Sequence, residues 1–340
     1  MFDFSNYVDL PLIWAVLIGA AIFLYTLLDG FDLGVGILFP FAESDKCRNK
    51  MMNSIAPFWD GNETWLVLGG GGLFAAFPLA YAILLPAFYI PITSMLLGLI
   101  LRGVAFEFRF KAGNKSRVIW DYAFHFGSLI ATFCQGVILG AFVQGVEVEG
   151  RNFSGHSFDF ATGFSVITGI ALVFGYSLLG ATWLIMKTDG ITKEWARGVA
   201  SYVLSFICFF MAFVSIAMPM INEQVRFFWF SFPNIIYLSP VPIITAFLFI
   251  LLWSDLLKKQ AELRPFFLSV GIFLMGYIGL AISIYPFIIP FRYTIWDAAT
   301  AGPGLSLMLV GVVPALPLIL AYTGYCYYIF RGKTSDKSMY

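Results

Sequence analysis

The stretch that decides the fold is Leu28–Gly36, LDGFDLGVG, which sets two carboxylates inside the first long apolar run of the chain. Asp29 and Asp32 are the only charged residues between positions 10 and 41. A helix needs ~20 residues to cross a bilayer core of ~30 Å, so a helix through this run keeps Asp29 within the membrane or at its edge. An ionised carboxylate is costly there unless it is paired, protonated or hydrated. Two interpretations follow: the helix ends near Leu28 and leaves both carboxylates in the interface, or the carboxylates form a polar cluster that water or protons reach.

The spacing within this stretch predicts a role for each kind of residue. Asp29 and Asp32 are three positions apart and share one face of a helix. Gly30, Gly34 and Gly36 carry no side chain and would let the backbones of other helices approach closely.

The composition identifies the class of protein. Of 340 residues, 60% are hydrophobic and only 12% are charged, and the mean hydropathy is +0.85, which is typical of a polytopic membrane protein. The formal net charge is zero, so there is no electrostatic basis for binding nucleic acid. The four cysteines have no metal-type spacing and are interpreted as packing residues. The first nine residues are acidic and lack the basic segment of a signal peptide, so they are expected to face the outside.

The apolar runs predict an all-α fold of nine transmembrane helices in a single integral membrane domain, 1–340. The interval from residue 64 to residue 101 holds 38 residues without a charge, which is too long for one span, and Pro78 is the natural break between two. The predicted helices cover residues 10–38, 57–77, 79–106, 120–146, 160–186, 198–218, 240–254, 265–288 and 303–330.

The lengths of these helices draw further ionisable groups into the membrane. The second helix must include Asp60 and Glu63 to reach across the bilayer, and the third must include Arg102. Asp60 and Glu63 share a face, and Arg102 is the expected counter-charge, because close carboxylates without a cation repel one another. Glu107 and Asp121 fall at the same end of the helices. A proton path and an ion network that only fixes helix packing are both consistent with this pattern.

The distribution of basic residues predicts the orientation of the chain. Of the 20 Lys and Arg, 16 fall on one side of the predicted helices and three on the other, with Arg102 between them. The positive-inside rule then places the N-terminus outside and the C-terminus in the cytoplasm. The acidic cluster consequently lies at the cytoplasmic ends of helices one to four.

Several segments resemble subunit II of the cytochrome bd-type quinol oxidases, and the resemblance covers nearly the whole chain. They are LDGFDLGVG (28–36), NSIAPFWDGNETWL (53–66), GGLFAAFPLAY (71–81), RGVAFEFR (102–109), WD (120–121) and WDA (296–298).

This resemblance implies a heterodimer whose subunits have nine helices, arranged as two four-helix bundles plus one peripheral helix. The partner, subunit I, would hold haem b and haem d, or a third haem b, and the quinol site. The complex would oxidise quinol and reduce dioxygen to water in the bacterial inner membrane. The resemblance leaves open whether the complex has a small single-helix subunit and whether it binds a quinone. By the same resemblance, Asp29 and Asp60 match the positions where the family's cytoplasmic proton path begins, and no haem is expected to be covalently bound to this chain.

The histidines argue against a haem in this chain. Haem iron needs axial ligands such as His, Met or Cys, and the sequence has only two His. His156 lies in an outer loop, and His125 shares a helix face with Asp121. Both are interpreted as packing or hydrogen-bonding residues, and no catalytic residue or metal site is expected in this chain.

A proton-coupled secondary transporter is the alternative from another functional class. Transporter sites usually lie near the midplane on broken helices in both halves of a repeat. In this sequence the charges crowd one edge of one half, which favours the oxidase. A membrane scaffold that carries no protons is a third interpretation.

We predict from the basic residues that reporter proteins fused to the two ends of the chain report opposite sides of the membrane. A periplasmic reporter should be active at the N-terminus and a cytoplasmic reporter at Tyr340. Activity of one reporter at both ends would mean that the number of spans is even.

Overall fold

The computed structural model describes residues 7–334, without the side chains of residues 114 and 115, and this part of the chain is almost entirely helical. The helices are α1 (Leu10–Leu38), α2 (Asp45–Ile55), α3 (Trp59–Ala76), α4 (Pro78–Ala87), α5 (Tyr89–Lys111), α6 (Asn114–Gln144), α7 (Gly163–Lys187), α8 (Gly190–Ile221), α9 (Glu223–Phe230), α10 (Asn234–Leu238), α11 (Pro240–Lys258), α12 (Arg264–Ile284), α13 (Ile295–Ala298) and α14 (Gly302–Ile329). Two antiparallel hairpins lie in the connections: β1 (Val148–Glu149) with β2 (Asn152–Phe153), and β3 (Phe287–Ile289) with β4 (Tyr293–Thr294).

Eight helical segments in the described part are long and apolar enough to cross a membrane. They are α1, α5, α6, α7, α8, α12, α14 and the segment formed by α10 and α11. Helix α3 adds a ninth at 18 residues, a length of about 27 Å, although its first turns are polar. The all-α membrane class is therefore confirmed, and the count of nine agrees with these eight segments together with α3.

The predicted third helix, 79–106, is wrong because the chain forms two helices there. Helix α4 ends at Ala87, Phe88 leaves helical geometry at φ −113° and ψ 22°, and α5 continues to Lys111. Pro91 has no N–H to donate to the carbonyl of Ala87, so a continuous helix would lose that bond. The break at Phe88 puts Pro91 in the first turn of α5, where no such bond is needed. Helix α4 packs among the hairpins and α13.

Other helix ends also differ from the predicted ones. Helix α6 begins at Asn114 rather than 120, α8 begins at Gly190 rather than 198, and α12 ends at Ile284 rather than 288. The polar connection after α1 contains helix α2, where the Ser44 side chain caps the helix by accepting from the Cys47 N–H. Charged first turns hide the starts of α6 and α8, because hydropathy marks only the apolar part of a spanning helix. Beyond Ile284 the opposite holds: the apolar residues Phe287–Ile289 form strand β3, which hydropathy does not distinguish from helix.

The spanning helices form two bundles and one peripheral helix, as the sequence resemblance predicts. Helices α1, α3, α5 and α6 make the first bundle, and α7, α8, α11 and α12 close into a ring that makes the second. Helices α1 and α6 both pack on α7 and so join the bundles, while α14 lies against α1 and α3.

The crossing of α1 and α7 depends on glycines in the stretch 28–36. A Cβ atom on Gly34 would collide with the carbonyl of Tyr176, and one on Gly180 would lie 2.5 Å from the backbone of Gly34. A Cβ atom on Gly36 would similarly collide with Ser128 of α6. The predicted close approach of other helices at these glycines is confirmed.

The alternative in which the first helix ends near Leu28 is wrong. Helix α1 continues to Leu38, and every residue from 29 to 38 is buried. Both carboxylates of the stretch therefore lie inside the bundle rather than at an exposed helix end.

We predict that Gly34→Ala destabilises the assembled complex, because the added methyl group forces α1 and α7 apart, and overpacking of this kind costs about 1–3 kcal/mol. The midpoint of thermal unfolding of the purified complex should fall. Gly324→Ala in α14, where a Cβ atom meets nothing within 4 Å, is the matched control and should leave the midpoint unchanged or higher. Equal midpoints for both variants would contradict the role given to Gly34.

Candidate functional site

The centre of the site is an ion pair between Arg102 of α5 and Asp29 of α1. Arg102 donates from Nη2 to Asp29 Oδ1, and the two side chains are 1% and 0% exposed. The guanidinium also lies over the ring of Trp59, with its carbon 5.4 Å from the ring centroid. Charges this deeply buried persist only when they are paired, so Arg102 and Asp29 depend on each other for their place in the bundle.

The close packing of α5 on α6 carries Arg102 into the bundle. A Cβ atom on Gly98 would lie 2.8 Å from the carbonyl of Gly127, and one on Gly127 would lie 2.8 Å from the backbone N of Arg102. The two glycines thus let the helices meet one turn from Arg102, on the side of α5 that is covered.

Two carboxylates of α3 connect this ion pair to the surface. Glu63 Oε2 lies 3.7 Å from Arg102 Nη2, and the Glu63 side chain is 30% exposed. Asp60 lies one turn earlier on α3 and is exposed. Arg102 therefore has a fully buried carboxylate on one side and a partly exposed carboxylate on the other.

Asp32 is held by a side chain that the sequence analysis did not single out. Asn62 donates from Nδ2 to Asp32 Oδ2 at 2.7 Å and to the carbonyl of Leu28 at 3.2 Å. The hydroxyl of Tyr327, on α14, donates to Asn62 Oδ1 at 2.9 Å. Asn62 thus links the first helix to the last one. Its position between Asp60 and Glu63 was an available signal, whereas nothing in the sequence pointed to Tyr327.

Several buried polar atoms of the cluster have no hydrogen-bond partner among the described residues. They are Asp29 Oδ2, Asp32 Oδ1, and Arg102 Nε and Nη1. Buried polar atoms of native proteins that lack protein partners are generally satisfied by ordered water. The cluster can therefore bind water between its carboxylates and the guanidinium, and water is the medium through which carboxylates exchange protons.

The balance of charge gives the cluster an affinity for protons. Asp29, Asp32 and Glu63 face a single guanidinium, so the carboxylates carry more negative charge than Arg102 can neutralise. Arg102 stays charged at every accessible pH. Any proton that enters the cluster is therefore held by a carboxylate or by water.

Asp121 lies outside this cluster and belongs to a second one. Arg109 donates from Nε to Asp121 Oδ1 and from Nη1 to Asn49 Oδ1, the latter at 2.8 Å. Arg117 also donates to Asn49 Oδ1, at 3.0 Å. Glu107 is half-buried, and no ion pair joins it to another side chain of the described part. The structure therefore brings together Asp29, Asp32, Glu63 and Arg102, places Asp60 at their edge, and separates Asp121 and Glu107 from them.

The two histidines lie in different parts of the fold. His125 Nδ1 lies 3.0 Å from the carbonyl of Ile37, which can only accept, so Nδ1 carries a proton and donates. His156 is in the exposed connection between α6 and α7. Within residues 7–334, no group of three or more His, Cys, Asp or Glu could hold a metal ion.

The fold and the cluster together define an integral membrane protein of two helix bundles with a buried ion cluster at one end of the first bundle. The profile of the family "Cytochrome bd terminal oxidase subunit II" matches residues 10–330. The chain belongs to this family, and it is a subunit of a bd-type terminal oxidase, an oxidoreductase complex of the bacterial inner membrane.

Comparisons with individual proteins agree. Cytochrome bd-I ubiquinol oxidase subunit 2 of Escherichia coli strain K12 is 30% identical over 370 residues, which cover 98% of this chain and 97% of the relative. Cytochrome bd ubiquinol oxidase subunit 2 of Bacillus subtilis strain 168 is 29% identical over 335 residues, which cover 96% and 97%. The solved structure of bd oxidase from Geobacillus thermodenitrificans has the same fold, with a TM-score of 0.75 at 18% identity over 95% of this chain and 99% of that chain.

We predict that the two members of the central ion pair are energetically coupled. Arg102→Met should destabilise the complex by about 3–5 kcal/mol, since it leaves a buried carboxylate without its partner. The double variant Arg102→Met/Asp29→Leu should recover part of this loss. Thermal unfolding of the purified complexes measures both.

The matched control is Arg226→Met, which breaks the exposed pair of Arg226 with Glu223 and should change stability by about 1 kcal/mol or less. Additive effects of the two substitutions at the buried pair would show that Arg102 and Asp29 are not coupled.

Proposed function

We propose that this chain carries protons from the cytoplasm to the dioxygen-reducing centre of its haem-bearing partner, subunit I, and also holds that partner in the membrane. The complex would oxidise quinol and reduce dioxygen to water, a reaction that consumes protons. Haem b and haem d, or a third haem b, in the partner would supply electron transfer and oxygen binding. The observation that carries the proposal is the buried ion cluster of Asp29, Asp32, Glu63 and Arg102, with exposed Asp60 at its edge.

The first step of the proposed path is entry at Asp60. Asp60 is exposed at the start of α3, and Glu63 follows one helical turn later on the same face. A proton taken up by Asp60 can pass to Glu63 through one or a few water molecules, since both carboxylates are in contact with solvent.

The second step is transfer from Glu63 into the buried part of the cluster. Arg102 lies between Glu63 and Asp29 and cannot itself give up a proton at accessible pH. Its role is to keep both carboxylates in place and to neutralise their charge. The protons move through water that binds at the free atoms of Asp29, Asp32 and Arg102.

The contacts between connections support the predicted orientation. At one end of the bundles, Lys50 of α2 pairs with Asp189 before α8 at 2.6 Å, and Lys187 of α7 donates to the carbonyl of Gly332 after α14 at 3.1 Å. At the other end, Trp296 of α13 donates to Asp9 before α1 at 2.9 Å. The first end is rich in Lys and Arg and would face the cytoplasm, with the C-terminus on that side and the N-terminus outside.

The glycine run of α3 supports a docking position for the partner. Cβ atoms on Gly69 and Gly72 would lie 3.1 and 3.0 Å from Ile22 and Ile18 of α1. Gly70 and Gly71 face outward and would meet nothing within 4 Å in the described chain. Glycines on a lipid-facing helix surface are typical of close packing between transmembrane helices. A helix of subunit I that packs on Gly70 and Gly71 would lie about 15 Å along α3 from Asp60, and it could extend along α3 towards the cluster to receive its protons.

The family supports the oxidase and not the transporter. The ion cluster lies at one end of the first bundle, whereas transporter sites lie between repeats near the midplane. The proposal needs neither a small single-helix subunit nor a quinone bound to this chain. A chain that relays protons and a chain that serves only as a scaffold differ in how a substitution in the cluster changes the turnover of the oxidase.

We predict that Asp60→Asn lowers quinol oxidase turnover tenfold or more, which corresponds to about 1.4 kcal/mol or more in the limiting step. Asparagine keeps the shape and the hydrogen bonding of Asp60 but cannot take up a proton. Haem content and assembly of the purified complex should stay near those of the wild type. Oxygen consumption per haem, with excess quinol, is the measurement.

Glu194→Gln is the matched control, because Glu194 is an exposed carboxylate of α8 with only a weak contact to Lys259 at 3.8 Å. Its turnover should equal that of the wild type. If the complex with Asp60→Asn assembles and turns over at the wild-type rate, Asp60 is not in an obligatory path. Loss of assembly with normal turnover per haem would favour the scaffold.

A further inference from the structure

Beyond Asp29, three neutral side chains continue the polar network into the middle of the bundles. Tyr25 of α1 is 4% exposed and Tyr176 of α7 is 1% exposed. Gln135 of α6 lies between them: its Nε2 donates to the Tyr25 hydroxyl oxygen at 2.7 Å, and its Oε1 accepts from the Tyr176 hydroxyl at 2.8 Å. The three residues, called here the Tyr25–Gln135–Tyr176 chain, join three different helices.

The Tyr25–Gln135–Tyr176 chain is connected to the ion cluster through Tyr25. Tyr25 precedes Asp29 by one helical turn on α1, so the two buried side chains lie on the same face of the helix. The Tyr25 oxygen accepts from Gln135, and a carboxylate can only accept hydrogen bonds, so the Tyr25 O–H is the group that can donate to Asp29. The Tyr176 O–H then donates to the carbonyl of Gln135. Every donor in the chain points towards Asp29, an arrangement in which each hydrogen bond strengthens the next.

The glycines of the stretch 28–36 make this arrangement possible. A Cβ atom on Gly30 would lie 3.0 Å from the ring of Tyr176, so the absence of a side chain lets Tyr176 lie directly against α1. Tyr25 is enclosed by Ala21 and Trp65. The Tyr25–Gln135–Tyr176 chain therefore lies in an apolar part of the structure, where a hydrogen bond is strong because water does not compete.

We propose that the Tyr25–Gln135–Tyr176 chain positions the Asp29 carboxylate for proton transfer, with Tyr25 as the positioning residue, and that it ends the proton path inside the bundle. The inference rests on the proposed proton path. Tyr25 fixes the rotation of the carboxylate so that one oxygen faces Arg102 and the other stays free for a proton. Gln135 has no proton that titrates, so a proton on Asp29 has no further carrier on this side and is directed to the partner.

A test by pH must take account of every charged or titratable group that faces Asp29. Those that face it come from every element packed around the cluster, and they are Tyr25 and Asp32 of α1, Glu63 of α3, Arg102 of α5, Tyr176 of α7 and Tyr327 of α14. Removing the Tyr25 hydroxyl leaves all the other groups in place, so a change in pH dependence can be assigned to this one contact.

The test is Tyr25→Phe in the assembled complex, with turnover measured as a function of pH. Assembly and haem content should match the wild type, because the ring stays. Turnover should fall about threefold or more at neutral pH, and the acid limb of the profile should move about 0.5–1 pH unit towards alkaline pH, the equivalent of one net hydrogen bond to the ionised carboxylate. In the Asp29→Asn background, Tyr25→Phe should cause no further shift.

Tyr277→Phe is the matched control. The Tyr277 hydroxyl also donates to α1, to the carbonyl of Gly19 at 2.7 Å, but far from the cluster. This variant should keep the wild-type pH profile. A purely structural role of Tyr25 would lower assembly and leave the profile of the surviving complex unmoved, which overturns the inference.

The outcomes separate this inference from the proposed function. An unchanged profile in Tyr25→Phe, with turnover lost in Asp60→Asn, overturns the positioning role and leaves the proton path standing. Wild-type turnover in both Asp60→Asn and Asp29→Asn overturns the proton path, and the role of Tyr25 in proton transfer falls with it. The infrared band of the Asp29 carboxyl, identified by its loss in Asp29→Asn, then tests the contact alone: a band unmoved by Tyr25→Phe excludes it.

Discussion

The structure depends on the ion pair between Arg102 and Asp29, because it puts two charges where the surroundings are apolar. Neither charge would be tolerated alone. The pair therefore ties α1 to α5, and Glu63 and Trp59 bring α3 to the same point. Through Asn62, Asp32 extends these constraints to α14. Four helices of different sequence position thus meet at one polar cluster at one end of the first bundle.

The stretch 28–36 serves this cluster and the rest of the fold together. Its two carboxylates face α3 and α5, whereas its glycines face α7 and α6. Larger residues at Gly30 or Gly34 would hold α7 away from α1 and would remove Tyr176 from its place beside Gln135. One helical segment therefore produces both features: its glycine face makes the close helix contact, and its opposite face carries the carboxylates of the polar network.

This division agrees with the contribution that we propose for this chain in the oxidase. Its two fully buried carboxylates, Asp29 and Asp32, lie together at one end of the first bundle, whereas in the second bundle the buried carboxylate of Asp255 pairs with Arg264 at 2.9 Å. An oxidase that reduces dioxygen must bring protons to a buried centre, and carboxylates bound to water are suited to that task. In the proposed function, the outward-facing Gly70 and Gly71 would give the partner subunit a surface on the same helix as the proposed entry point at Asp60.

The sequence by itself determined the membrane class and drew Asp60, Glu63 and Arg102 into or near the membrane, but it left open whether α1 ends near Leu28 and leaves Asp29 and Asp32 in the interface. Those properties follow from the length and hydropathy of single segments, which are local. The sequence did not predict the break at Phe88, because a proline in the first turn of a helix and a proline in a helix interior look alike in a hydropathy profile. Only the tertiary structure decided that Asp121 joins Arg109 rather than the central cluster, and that Tyr327 reaches Asn62. Neutral hydrogen-bonding side chains such as Tyr25 and Gln135 have no distinctive spacing, and their partners lie 110 residues apart along the chain, so packing alone brings them together.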